Sequence, residues 1–144
     1  MSTKVSIKQL EVIKTPDGEL FPVYRDWDEW HDGHVPKMAY ITTMRANTKK
    51  GVILHRKRTA YITAVSGHVH LEYFDKELKV QQLSDEGNNQ HWIMKIPPGI
   101  PILLANNSAN AAIVLNLPTP SWHPDDQDTY KFNDWTSYFE SESK

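Results

Sequence analysis

Short strand-forming stretches recur along the whole chain, and each is cut off by proline, glycine or an Asn/Asp cluster before it reaches helical length. Nine prolines and six glycines are spread through 144 residues, and no long amphipathic helical pattern separates them. Residues 5–13 and 19–24 are strand candidates around Thr15-Pro16-Asp17-Gly18, whose Asp-Gly favours a tight reversal. Residues 26–33 (DWDEWHDG) are acidic, aromatic and turn-rich, which suits a surface loop or one helical turn. Over residues 37–45, Met38, Tyr40, Thr42 and Met44 fall on one face of a strand and Ala39, Ile41 and Thr43 on the other. Residues 60–73 are β-rich and broken at Gly67, while 79–83 and 91–96 flank a hydrophilic loop at 84–90. Pro97-Pro98-Gly99 is a turn, since neither proline can donate to a ladder. Residues 100–106 and 111–117 read as a hairpin around Asn107-Ser108-Ala109-Asn110. The tail breaks at Pro118, Pro120, Pro124 and Asp125-Asp126, then forms a short helix from about Asn133. Strands at such spacing predict an all-β sandwich or barrel.

Composition narrows the function classes. A net charge of −2 favours neither nucleic acid nor an anionic membrane. No apolar run approaches the roughly 18 residues of a membrane span, and the amino terminus carries no signal-peptide pattern. Without cysteine there are no disulfides, thiolate nucleophiles or Cys-based zinc sites, and a cytoplasmic location is expected.

Two segments carry a family resemblance. Gly51 to Gly67 reads GVILHRKRTAYITAVSG, and the later segment IPPGIPILLAN places Asn106 seven residues after Gly99. A glycine-bounded, His-bearing strand pair followed by Pro-x-Gly resembles the two motifs of the cupin β-barrels. The resemblance implies a single cupin (RmlC-like) jelly-roll domain over residues 1–144. Cupins that hold a metal supply two His and a Glu from the first motif and a His from the second. Those positions here read Ile53, His55, Thr59 or Ala60, and Ile102. A catalytic metal needs about three protein ligands, so neither metal nor other cofactor is expected.

Within the cupins, order and spacing most resemble the sugar-nucleotide branch. Asp17-Gly18-Glu19-Leu20 sits where those enzymes lead into the barrel, and Lys37-Met38-Ala39-Tyr40 resembles the basic-x-x-Tyr strand of the TDP-4-keto-6-deoxyhexose 3,4-ketoisomerases. The spacing from Tyr40 through Gly51 to His55, the His55-Arg56-Lys57 triplet and the acidic tail from Trp122 to Trp135 follow the same pattern. The likeness to TDP-4-dehydrorhamnose 3,5-epimerases is weaker: Val52 stands for their Arg, and Asn116 or Trp122 for their Tyr. The resemblance implies a metal-independent isomerase or epimerase acting on a TDP-4-keto-deoxysugar, with a homodimeric assembly. His55 and Tyr40 are its candidate catalytic residues. Lys37, Arg45, Arg56, Arg58, Asn106 and Trp122 are its candidate substrate contacts. A second reading is a non-catalytic cupin, a binding or accessory module, because Ile53 and Ile102 make the cavity more apolar and suit a hydrophobic small molecule.

The residues themselves allow this chemistry. Moving a keto group between neighbouring carbons needs a base beside a carbonyl, and His titrates near pH 6.5. The developing enolate needs a fixed donor, which the Tyr40 hydroxyl can be. Each also has a plain structural alternative, as a hydrogen-bonded core His and an aromatic core residue. Lys49, Lys50, Arg56, Lys57 and Arg58 concentrate positive charge that suits a diphosphate, or equally a solvated edge protected against pairing. His68, His70 and Glu72 share a strand face and could hold a metal from one side. A solvent or dimer-interface position suits them as well, and His91 likewise. Trp27, Trp30, His31 and His34 suit stacking on a base or sugar, or a cover over one mouth of the barrel. His123 and Asp134 are tail candidates for a lid or for a carboxylate orienting the base.

Overall fold

A computed structural model describes residues 4–143. Its strands are β1 (Ser6–Gln9), β2 (Ile13–Thr15), β3 (Gly18–Leu20), β4 (Tyr40–Met44), β5 (Thr48–Leu54), β6 (Ala60–Ser66), β7 (Val69–Asp75), β8 (Glu77–Gln82), β9 (Ser84–Asp85), β10 (Gln90–Ile96), β11 (Ile102–Asn106), β12 (Ala112–Asn116) and β13 (Tyr130–Lys131). One helix, α1 (Trp135–Glu142), follows them. Two antiparallel sheets face each other, one in the order β1-β10-β6-β12-β4 with β9 beside β10, the other in the order β13-β5-β11-β7-β8. β2 and β3 form a separate hairpin. The arrangement is the jelly roll that the strand spacing and the cupin motifs led to.

The core fills the space between the sheets, with Ile62, Ala64, Met94 and Val114 from the first meeting Val69, Leu71, Ile102 and Leu104 from the second. The central strands are covered on their outer faces too, so β6, β10 and β11 are buried nearly throughout instead of alternating. On the second sheet the cover is α1, whose Trp135 and Tyr138 pack with Phe74 and Phe132 against Val52, Leu54, Leu103 and Ala105. Asp134 caps this helix by accepting from the Ser137 N–H at 2.7 Å. On the first sheet, Phe21, Val23 and Trp30 lie over Tyr61, Ile93 and Leu10. No helix among the described residues is long and apolar enough to cross a membrane.

Several local expectations change. Residues 100–106 and 111–117 are not a hairpin: β11 pairs with β5 and β7, whereas β12 pairs with β4 and β6, so the chain crosses between sheets there. Asn106 organises that crossing, donating to the carbonyls of Arg45 (3.1 Å) and Asn110 (2.8 Å) and accepting from Ser108. The 84–90 loop contains β9 and a 3₁₀ turn, Glu86–Asn88, and buries Ser84. The first strand candidate is split into β1 and β2, and residues 21–24 form no strand. Trp30 and His31 cover the outer face of the first sheet against Tyr61 and not a barrel mouth, while Trp27 is 71% exposed beside Arg25. His91 is buried, stacked on Phe21 at 4.2 Å and bonded to the Ala64 carbonyl, so it faces neither solvent nor a partner.

Candidate functional site

β5 sets up the site through an irregularity at Gly51. The register against β11 shifts between Ile102 and Leu103, so residues 51 and 52 together oppose the step of one strand residue. Lys50 and Ile53 therefore both turn inward, and Val52 faces α1. Only glycine fits here: φ is +117°, and a Cβ would stand 2.8 Å from the Ile102 carbonyl oxygen.

Between the sheets lies a cavity that is open at one end. Its floor is apolar, built from Ile62, Ile96, Ile100, Ile102, Leu104 and Val114. Toward the opening the wall becomes polar, with Tyr40 and Thr42 on β4, Lys50 on β5, Asn116 on β12, and His55 and Arg58 on the segment between β5 and β6. Met38, Trp122, Thr129 and Lys131 continue it outward as a mouth. Among the described residues, no Asp or Glu lines cavity or mouth, while Lys50, Arg58 and Lys131 bring cationic side chains to it.

His55 is held at one ring nitrogen. Its Nδ1 lies 2.6 Å from the Asp128 carbonyl oxygen, which can only accept, so the proton sits on Nδ1 and Nε2 is left as a free acceptor. Burial pushes the imidazole below its ordinary pKa and the Arg58 charge adds to this, against the Asp128 hydrogen bond; the ring is neutral at pH 7. Asn116 Nδ2 donates to the Tyr40 hydroxyl oxygen at 2.8 Å, which leaves the Tyr40 O–H free to donate elsewhere. Asn116 Oδ1 is buried without a partner. Arg58 is only 5% exposed, its Nε has no partner, and it enters no ion pair among the described residues. A buried cation without a counter-charge is costly unless a ligand supplies one.

Of the residues singled out in the sequence, His55, Tyr40, Arg58 and Trp122 converge here. Four others lie elsewhere. Lys37 is exposed and only its backbone is engaged, with Pro118. Arg45 is exposed at the turn between β4 and β5. Arg56 is exposed over the Tyr130 ring, and Asn106 is committed to the sheet crossing. Asp134 is the helix cap, and His123 is exposed in a turn with Asp126, so the partner that orients His55 is the backbone of Asp128. Asp128 carries no site signal in the sequence, and Asn116 enters there only as one of two positions for the epimerase Tyr. Lys50 was visible only as part of a charge run, and nothing in the sequence ties Asp128 to residue 55. The four cupin ligand positions do come together, as Ile53, His55, Ala60 and Ile102. One imidazole among three alkyl side chains does not fit a metal. His70 and Glu72 lie on the outer face of β7, where Glu72 accepts from Trp135 Nε1 at 3.0 Å.

Solved structures share this fold. QdtA, a sugar 3,4-ketoisomerase from Thermoanaerobacterium thermosaccharolyticum in complex with TDP, superposes with a TM-score of 0.72 at 17% identity, over 99% of this chain and 98% of that one. A dTDP sugar isomerase from Desulfovibrio desulfuricans gives 0.76 at 15% identity, covering 89% and 83%. NovW, a 4-keto-6-deoxy sugar epimerase from Streptomyces spheroides, gives 0.73 at 16%, covering 88% and 68%. No curated protein sequence matches the chain. The family model described as FdtA: WxcM-like, C-terminal, matches residues 3–137. With an RmlC-like cupin jelly roll and a match along nearly its whole length, the chain belongs to the FdtA (WxcM-like, C-terminal) family.

Proposed function

We propose that the chain is a metal-independent sugar-nucleotide isomerase of the 3,4-ketoisomerase kind, acting on a TDP-4-keto-deoxysugar. The observation that carries this reading is His55, neutral and pinned at Nδ1 with Nε2 free, in a cavity that also holds a free tyrosine O–H and an unpaired buried arginine. Nε2 takes the proton from the carbon beside the ketone, and the electron pair moves onto the carbonyl oxygen as an enolate. The Tyr40 O–H stabilises that oxygen. Returning the proton to the former carbonyl carbon, with a hydroxyl proton moving between the two oxygens, leaves the ketone one carbon along. Arg58, with Lys50 and Lys131 at the mouth, supplies the positive charge a diphosphate needs, and Trp122 offers a face to the base. The family match and the activities of the similarly folded enzymes support the substrate class. A cytoplasmic homodimer is part of this reading, and sedimentation checks the dimer.

The rival binding-module reading draws on the apolar floor and on the isoleucines at two cupin ligand positions. Incubation with TDP-4-keto-6-deoxyglucose in deuterated water, followed by proton NMR, separates the two. Deuterium exchange or isomerisation that disappears in His55→Ala supports the enzyme. A folded protein that is inert toward this and other keto-sugar nucleotides, while apolar ligands raise its melting temperature, leaves the binding module.

A further inference from the structure

Asp128 engages the segment behind the base from two directions at once. Its backbone carbonyl takes the His55 Nδ1–H at 2.6 Å. Its carboxylate accepts the N–H groups of three consecutive residues, Arg56 at 2.9 Å, Lys57 at 2.9 Å and Arg58 at 3.2 Å. Three successive amides aimed at one point form an anion-binding concavity, and here the chain fills it with its own carboxylate. Burial pushes that carboxyl up, but the three amides outweigh it and hold it below the usual carboxylate range. The bonds are thus charge-assisted. Asp128 adopts a left-handed backbone, φ 42°, which Asp and Asn tolerate better than most residues. Its neighbours Thr129 and Lys131 line the mouth, and β13 runs beside Leu54 and Ile53. The Lys57–Asp126 pair at 2.7 Å is exposed and adds little.

We propose that Asp128 is the positioning residue of this site: its carboxylate shapes residues 55–58 so that its own carbonyl fixes His55 as the Nδ1–H tautomer, with Nε2 available to the cavity. The catalytic part of the proposal rests on His55 being the base; the tautomer does not. With the carboxylate gone, the three amides have no acceptor in the fold and the loop relaxes toward water. The imidazole then samples both tautomers, and a displacement of about 1 Å at a reacting group can cost on the order of 100-fold in rate.

The test is nitrogen-15 histidine NMR on ligand-free protein, alongside deuterium exchange of the keto-sugar nucleotide. Asp128→Gly keeps the left-handed backbone and removes the carboxylate; Asp128→Asn keeps one acceptor oxygen. Wild type should show His55 as a single Nδ1–H tautomer. Asp128→Gly should show averaged ring-nitrogen signals and exchange about 10- to 100-fold slower per folded molecule, with Asp128→Asn in between. A merely structural role would lower stability yet leave the signals and the rate of the folded fraction unchanged. A folded Asp128→Gly with one His55 tautomer and a rate within about twofold of wild type overturns the proposal. If that variant does not fold, an unchanged single tautomer in Asp128→Asn does the same. If wild type exchanges no substrate, the function reading fails while the tautomer signals still decide the role of Asp128.

Discussion

Replacing Arg58 by Met should make the ligand-free protein more stable and its nucleotide binding weaker. Arg58 is 5% exposed, has no ion pair among the described residues, and keeps its Nε buried without a partner. Leaving one such donor unsatisfied costs about 1–3 kcal/mol, and more when the group is charged. Met preserves most of the apolar stem and leaves the Arg58 N–H free to keep its bond to Asp128. Taking a net gain of about 1–2 kcal/mol, and about 2–4 °C per kcal/mol for a chain of this size, the melting temperature should rise by roughly 2–8 °C. In the complex the same side chain would meet a phosphate, and a hydrogen bond to a charged group contributes about 1.5–3 kcal/mol. Binding of TDP should therefore weaken by about 10- to 150-fold. Differential scanning fluorimetry reads the first effect and isothermal titration calorimetry the second. A variant that melts lower without ligand, or binds TDP as tightly as wild type, refutes the view of Arg58 as a cation held unpaired for a ligand.

Gly51→Ala should destabilise the fold by about 1–3 kcal/mol, since φ +117° and the Ile102 carbonyl at 2.8 Å both oppose a Cβ; urea unfolding should show a lower midpoint with an unchanged slope. His31 is buried with both ring nitrogens unpartnered, packed on Tyr61 near Lys8, Lys95, His34, Asp28 and Asp32. Burial depresses its pKa against the pull of Asp28. The unfolded chain therefore binds the proton first, and stability should fall as pH drops from about 6.5 toward the lower folded value. His31→Phe should flatten that part of the stability–pH curve, and a slope as steep as that of wild type would exclude His31 as its source. Tyr40→Phe should slow deuterium exchange by about 100-fold, the loss typical of one oxyanion donor, while TDP affinity measured by calorimetry stays unchanged.

Alternation and punctuation were enough to place the chain among all-β folds, because period-2 burial and proline or glycine breaks are local properties. Alternation puts Tyr40 and Thr42 on one face of their strand, the face that lines the cavity, and the cupin spacing brings Ile53, His55 and Ile102 to the same cavity. Periodicity assigns faces, but it does not say which strands pair. The two strands flanking residues 107–110 looked like a hairpin and belong to opposite sheets, because the side chain of Asn106 holds the crossing. The inward turn of Lys50 depends on the register shift at Gly51, which moves the alternation by one residue. Among the basic residues, sequence alone could not separate buried Arg58 from exposed Arg56 two positions earlier. Arg58 turns into the cavity between the sheets, whereas Arg56 lies over Tyr130, 74 residues further along the chain. The sequence determined the barrel and the position of its imidazole. Tertiary structure decided which nitrogen of that ring is free and which cation faces it, since both follow from contacts between segments that share no local pattern.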